Sequence, residues 1–88
     1  MEFLVNIEID VPVDLADELY RREAERAGEL ADAGVLKRLW RVPGQRANVG
    51  LWSAADATEL HEALASLPLF PYMRIRIEAL ARHPSDPA

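Results

Sequence analysis

Glu23 is the residue whose type and position most need a chemical explanation. At about 100° per residue it falls near the middle of an apolar helical half-wheel carrying Ala16, Leu19, Ala27 and Leu30, with Arg26 at the margin. A carboxylate turned toward a core is costly unless it is paired or protonated. Desolvation raises its pKa, toward the range useful to a general base or acid near neutrality. The competing reading is a carboxylate neutralised by an arginine of the sheet and serving structure alone. Interior ionisable groups are rare enough to put the functional reading ahead. A second feature is charge asymmetry. Residues 34–52 hold Lys37, Arg38, Arg41 and Arg46 and no acid, whereas the first 33 residues hold ten acids against Arg21, Arg22 and Arg26. A basic hairpin in an acidic chain can hold a small carboxylate by charge-assisted contacts. Arg38 and Arg41 flank Trp40 and point to opposite faces of their strand, so at least one of them faces protein; Lys37 and Arg46 read as solvated.

Further polar residues fall near these. Asn48, in the middle of a short strand, has an amide able to steady an oxyanion, although pairing with backbone or water is the commoner role of a strand Asn. His61 borders the apolar stripe of a second helix, where a hydrogen-bonded surface histidine is the ordinary reading and a catalytic one ranks behind it. Tyr72 sets an amphipathic ring beside Phe70. The candidate set is therefore Glu23, Asn48 and His61 for catalysis, and Arg38, Trp40, Arg41 and Tyr72 for substrate binding. His83 lies in the tail and reads as structural or solvated. No Gly-rich phosphate loop, metal-ligand spacing or Ser-His-Asp arrangement is found.

The whole-chain arithmetic narrows the classes. Eighty-eight residues with 50% hydrophobic and 28% charged side chains suit one globular domain, not a disordered or low-complexity chain. Zero cysteines remove disulfide scaffolds, zinc ribbons and thiol nucleophiles, and two histidines make a His-rich metal cage a poor fit. A net charge of -5 argues against nucleic acid as the main partner. The opening Met1–Asn6 lacks a signal peptide's basic and apolar regions, and no apolar run approaches the ~20 residues of a membrane span. The expectation is a cytoplasmic protein with no membrane partner.

The elements that must position these residues can be read from periodicity. Phe3, Val5, Ile7 and Ile9 alternate with Leu4, Asn6 and Glu8, giving a half-buried strand over 2–10. Pro12 ends it, and Asp14 is the expected N-cap of a helix over 14–33 that Gly34 stops. Residues 35–42 and 46–52 form two strands about the Pro43-Gly44-Gln45 turn. Asp56, with Glu59 three residues on, starts a second helix whose stripe is Leu60, Ala63, Leu64 and Leu67. Pro68-Leu69-Phe70-Pro71 breaks it. Residues 72–80 form a last strand with Met73, Ile75 and Ile77 inward. The order β-α-β-β-α-β is the ferredoxin-like arrangement, an α+β fold with a four-stranded antiparallel sheet and two helices on one face. Residues 1–80 make one domain, and 81–88 form a C-terminal extension available to pack on a neighbouring subunit. Two helices cover only one face of the sheet. The other carries Leu4 and one of the tryptophans, which points to a second copy packed there.

Trp40-Arg41, Gly44, Ala47-Asn48, Leu60-His61, Leu67-Pro68-Leu69-Phe70-Pro71-Tyr72-Met73 and His83-Pro84 together resemble the muconolactone Δ-isomerase family, nearly end to end. The run over 67–73 is the most specific element. The resemblance implies a dimeric α+β barrel, assembled into a homo-oligomer that is decameric in well-known members. It also implies cofactor-free conversion of muconolactone, a lactone carboxylate, to 3-oxoadipate enol-lactone in the β-ketoadipate pathway. Where members often carry an aromatic and a hydroxyl residue after Ala-Asn and then Phe-Asp, this chain has Val49-Gly50-Leu51-Trp52-Ser53. Some also carry His in place of Arg38. Val49 and Gly50 make a nearby pocket roomier or less polar. The alternatives are a relative acting on a chlorinated or other butenolide, and a non-catalytic dimeric module that binds an aromatic catabolite.

Overall fold

Alternating apolar residues at both ends of the chain pair as neighbouring strands of one sheet. In the computed structural model, which describes residues 1–88, the elements are β1 (Glu2–Ile9), α1 (Val13–Asp32), β2 (Leu36–Arg41), β3 (Ala47–Ser53), α2 (Ala57–Ala65), a 3-10 turn (Phe70–Tyr72) and β4 (Met73–Leu80). The strand order is β2-β3-β1-β4, and every neighbouring pair is antiparallel. This is the expected ferredoxin-like fold, with bounds within one or two residues of the periodicity. One difference has a plain cause. Pro71 lacks the N–H that a ladder needs, so Tyr72 closes the 3-10 turn and β4 begins at Met73.

Register assigns the faces. Phe3, Val5 and Ile7 of β1 lie opposite Trp52, Gly50 and Asn48 of β3, and opposite Ala79, Ile77 and Ile75 of β4. These side chains share the helix-covered face. Pairing of Leu39 with Gly50 and Arg41 with Asn48 puts those two β2 residues on the same side. Leu4, Val49, Leu51, Arg38 and Trp40 fall on the open face. The core is Phe3, Val5, Ile7, Leu30, Trp52, Ala54, Leu60, Leu64 and Leu67, with Leu69 also fully enclosed. Burial of each large aliphatic side chain contributes roughly 1.5–3 kcal/mol.

Local chemistry sets the helix ends. Asp14 is not the N-cap of α1. Pro12 holds that position without a side-chain hydrogen bond, and Asp14 lies in the first turn, where its charge still favours the helix dipole. At the other end the Gly34 N–H donates to Ala31 C=O and the Val35 N–H to Leu30 C=O, both at 2.9–3.0 Å. This Schellman closure needs the positive φ of 78° that Gly34 adopts. Asp56 caps α2 as its sequence suggests, its Oδ1 accepting from the Glu59 N–H at 2.8 Å. The nine residues of α2 span about 13 Å, whereas the eight of β4 span about 26 Å. The helix therefore leaves the far part of β4 uncovered, and Ile77 stays 45% exposed although it faces inward. Residues 81–88 lie past the sheet, and a local turn joins Asp86 N–H to His83 C=O.

Gly50 is required by its neighbour. A Cβ built there would stand 2.6 Å from Trp52 Nε1 and 3.1 Å from Trp52 Cδ1. The indole lies across the bare backbone, with its N–H buried and unpartnered. Gly50→Ala should therefore destabilise the protein by about 1–3 kcal/mol through overpacking. In a Trp52→Phe background the penalty should shrink, giving a coupling of about 1 kcal/mol or more in a double-mutant cycle read by urea unfolding.

Candidate active site

Helix α1 meets the sheet unevenly. Leu30 is its only fully buried residue, while Leu15 and Tyr20 in its N-terminal half remain more than 40% exposed. An open cleft of about 600 Å³ lies at that end, bordered by Ile9, Tyr20, Leu39, Arg41 and Asn48. Arg41 and Asn48 are register partners on the helix-facing side, so a cation and an amide stand next to each other there. The Asn48 Oδ1 is buried and has no hydrogen-bond partner.

Glu23 lies three residues after Tyr20 on α1, so the two side chains share a helical face. It is partly buried, and its Oε1 accepts a hydrogen bond of 3.0 Å from the backbone N–H of Leu69. Burial pushes its carboxyl above the ordinary carboxylate range, and the Leu69 N–H pulls part of the way back. No arginine neutralises it. The ion pairs of α1 are Arg21 with Glu18 and Glu25, and Arg26 with Glu29. The purely structural reading, a Glu paired to a sheet arginine, is thus not what the chain does. Glu23 is the one carboxyl group with a resolved upward shift.

The remaining candidates lie elsewhere. Arg38 is on the open face, its guanidinium 4.9 Å from the centre of the Trp40 ring. Trp40 sits on the edge strand and also borders the cleft. His61, on α2, packs edge-on to Phe70 with ring centres 6.0 Å apart and borders a groove over Met73, Ile75 and Ile77. Tyr72 lines an adjoining cleft of about 440 Å³ with Asp10, the two clefts sharing Ile9, Gln45, Arg46 and Ala47. The fold therefore gathers Arg41 and Asn48 on one cleft that α1 meets through Tyr20, and places Glu23, Arg38 and His61 outside its lining, with Tyr72 on the adjoining cleft. No group of three or more His, Cys, Asp or Glu side chains converges anywhere.

Two participants escape sequence reasoning. Tyr20 had a usable signal, its place one turn before Glu23. The Leu69 N–H had almost none, because a backbone donor has no letter of its own. The flanking Pro68 and Pro71, which lack N–H groups, only narrow the choice.

Fold and site together define a ferredoxin-like protein with one partly buried, unpaired carboxyl and an open cleft lined by a cation and an amide. A family model described as muconolactone delta-isomerase matches residues 1–86. The Muconolactone Delta-isomerase of Pseudomonas aeruginosa is 42% identical over 90 residues, covering 98% of this chain and 94% of the relative. Muconolactone Delta-isomerase 1 of Acinetobacter lwoffii is 42% identical over 82 residues, covering 93% and 85%. A crystal structure of muconolactone isomerase superposes with a TM-score of 0.91 at 38% identity, covering 100% of this chain and 96% of that one. The chain belongs to the muconolactone Δ-isomerase family.

The raised pKa of Glu23 has a stability consequence. The folded state binds the proton more tightly than the unfolded chain does. The associated stability is present below the ordinary carboxylate pKa and lost as pH rises through the raised folded value. Glu23→Gln should accordingly match the parent in acid and become the more stable of the two toward neutrality, in thermal melts run across that range.

Proposed function

We propose that this chain is a cofactor-independent isomerase that converts muconolactone to 3-oxoadipate enol-lactone, with Glu23 as its proton shuttle. The observation that carries the reading is a partly desolvated, unpaired carboxyl one turn after Tyr20, which borders the Arg41–Asn48 cleft, in a chain similar to muconolactone isomerases almost end to end. The substrate is a butenolide with a carboxymethyl arm. Glu23, ionised, removes the ring proton at the carbon bearing that arm. The electron pair moves through the ring onto the lactone carbonyl oxygen, giving a dienolate. Protonated Glu23 then returns the proton at the carbon next to the carbonyl, so nothing is gained or lost overall. A raised carboxyl pKa suits this double duty, because base and conjugate acid must both form near neutrality. Arg41 is assigned the arm's carboxylate and Asn48 the developing oxyanion.

On the same kinship we assign the enzyme to the cytoplasm and to a homo-oligomer built on a dimer. Support for the dimer comes from the open sheet face, where Trp40 points outward from the edge strand and is joined by Leu4, Val49 and Leu51. Trp40 itself is 43% exposed. An apolar sheet face of this kind is ordinarily covered by another layer. Residues 81–88 are assigned to contact with a neighbouring subunit. Sedimentation should show a species well above the 9.9 kDa of one chain; a monomer at micromolar concentration contradicts this assignment.

Purified protein given muconolactone in D2O should form the enol-lactone, which binding without turnover cannot produce, and the deuterium found next to the carbonyl reports how far Glu23 exchanges its proton with solvent before returning it. Glu23→Gln should lower kcat by about 10²–10⁴ with KM nearly unchanged. Arg41→Ala should reduce kcat/KM by about 10–100-fold, the size of one lost charge-assisted contact.

A further inference from the structure

Helix α1 touches the segment between α2 and β4 at two polar points. Glu23 Oε1 accepts from the Leu69 N–H at 3.0 Å, and Arg26 Nε–H donates to Ser66 Oγ at 3.0 Å. The spacing is three residues on both sides, so successive turns of the helix meet successive turns of the segment. Each end of the second contact is itself braced. Arg26 Nη1 donates to Glu29 Oε1 at 2.9 Å, and the Ser66 hydroxyl donates to Ala63 C=O at 2.6 Å. Between the two points the chain is a run of short turns, with Phe70 N–H on Leu67 C=O and Tyr72 N–H on Leu69 C=O. These hold Leu69 at a fixed displacement from Ser66.

We propose that Arg26 and Ser66 are positioning residues for Glu23: their contact registers the 66–69 turn against α1 and so keeps the Leu69 N–H on the carboxylate. The proposal rests on the reading of Glu23 as the proton shuttle. Neither residue touches the cleft. They act through the one donor that favours the ionised form of Glu23.

The surroundings of Glu23 leave little else to play that part. On α1 its neighbours one turn away are Tyr20 and Arg26, and Arg26 is committed to Ser66 and Glu29. From the α2 side comes the Leu69 amide, with His61 engaged edge-on with Phe70. The helix-facing side of β2 and β3 brings Arg41 and Asn48, and neither makes an ion pair or hydrogen bond to Glu23. Slackening the Arg26–Ser66 contact should therefore weaken the Leu69 bond and leave burial unopposed, so that the carboxyl ionises only at higher pH.

The test compares Ser66→Ala, Ser66→Thr and Arg26→Met with the parent, following kcat/KM for muconolactone against pH. In Ser66→Ala and Arg26→Met the acid limb should move upward, so that activity on the limb falls about three- to tenfold while the plateau stays within about twofold. Ser66→Thr keeps the hydroxyl and should restore the parent profile. A second readout needs no turnover: the Leu69 amide proton shift, followed by NMR, should titrate with Glu23 in the parent and respond more weakly in the two clamp variants. Superimposable pH profiles, or a uniform loss at every pH with an unchanged Leu69 amide, overturn the proposal. If Glu23→Gln keeps its turnover, the shuttle reading fails by itself, and the Leu69 amide still decides whether Arg26 and Ser66 set that hydrogen bond.

Discussion

One carboxyl group held partly out of water by a single backbone donor is the constraint around which this protein is arranged. Glu23 has no cation to share its charge, and the Leu69 N–H is its one hydrogen-bond donor. Had it an arginine partner, its pKa would drop and it would become a spectator. Had it no donor, burial would act unopposed and hold the carboxyl further above its ordinary value. Burial raises the carboxyl pKa and one N–H opposes it, the balance on which the proposed shuttle role relies.

The fold supplies that balance from distant parts of the chain. Leu69 follows Glu23 by 46 residues, and the two meet because the second βαβ half returns β4 to the side of β1. Leu69 itself is fully enclosed, so its amide is carried by a packed segment of chain and not by a mobile loop. The cleft on the β2 side exists for a complementary reason. Only the C-terminal end of α1 is anchored in the core, through Leu30 and the Schellman closure at Gly34, and the opposite end leaves Arg41 and Asn48 uncovered. A helix buried along its whole length would have filled the space a ligand must occupy. The departures at Val49, Gly50 and Trp52 touch this arrangement from beneath. The bare backbone at Gly50 is occupied by the Trp52 indole, so the missing side chain there does not open a void.

Much of the architecture was legible in the letters. Alternation in β1 and β4, the stripe Leu60, Leu64 and Leu67, the Asp56 cap and the Gly34 stop all act within a few residues, and local sterics and periodicity suffice to read them. The same holds for Glu23, since a carboxylate on an apolar helical face can be seen on a wheel. Asp14 was misplaced as a cap because Asp suits both the cap and the first turn, and the Pro12 backbone decided between them.

The sequence alone determined the order of elements, the kinship and the identity of the one anomalous carboxyl, because each is encoded by neighbours along the chain. Tertiary structure decided which residues share a site. Strand register, a property of two strands and not of one, put Arg41 and Asn48 under α1 and sent Arg38 to the far face. Chain return brought the Leu69 N–H, which no side-chain pattern announces, to Glu23, while His61 came to lie on a groove over β4 and Tyr72 on a cleft adjoining that of Arg41 and Asn48. Long-range pairing fixes these relations, and its information is spread over the whole core.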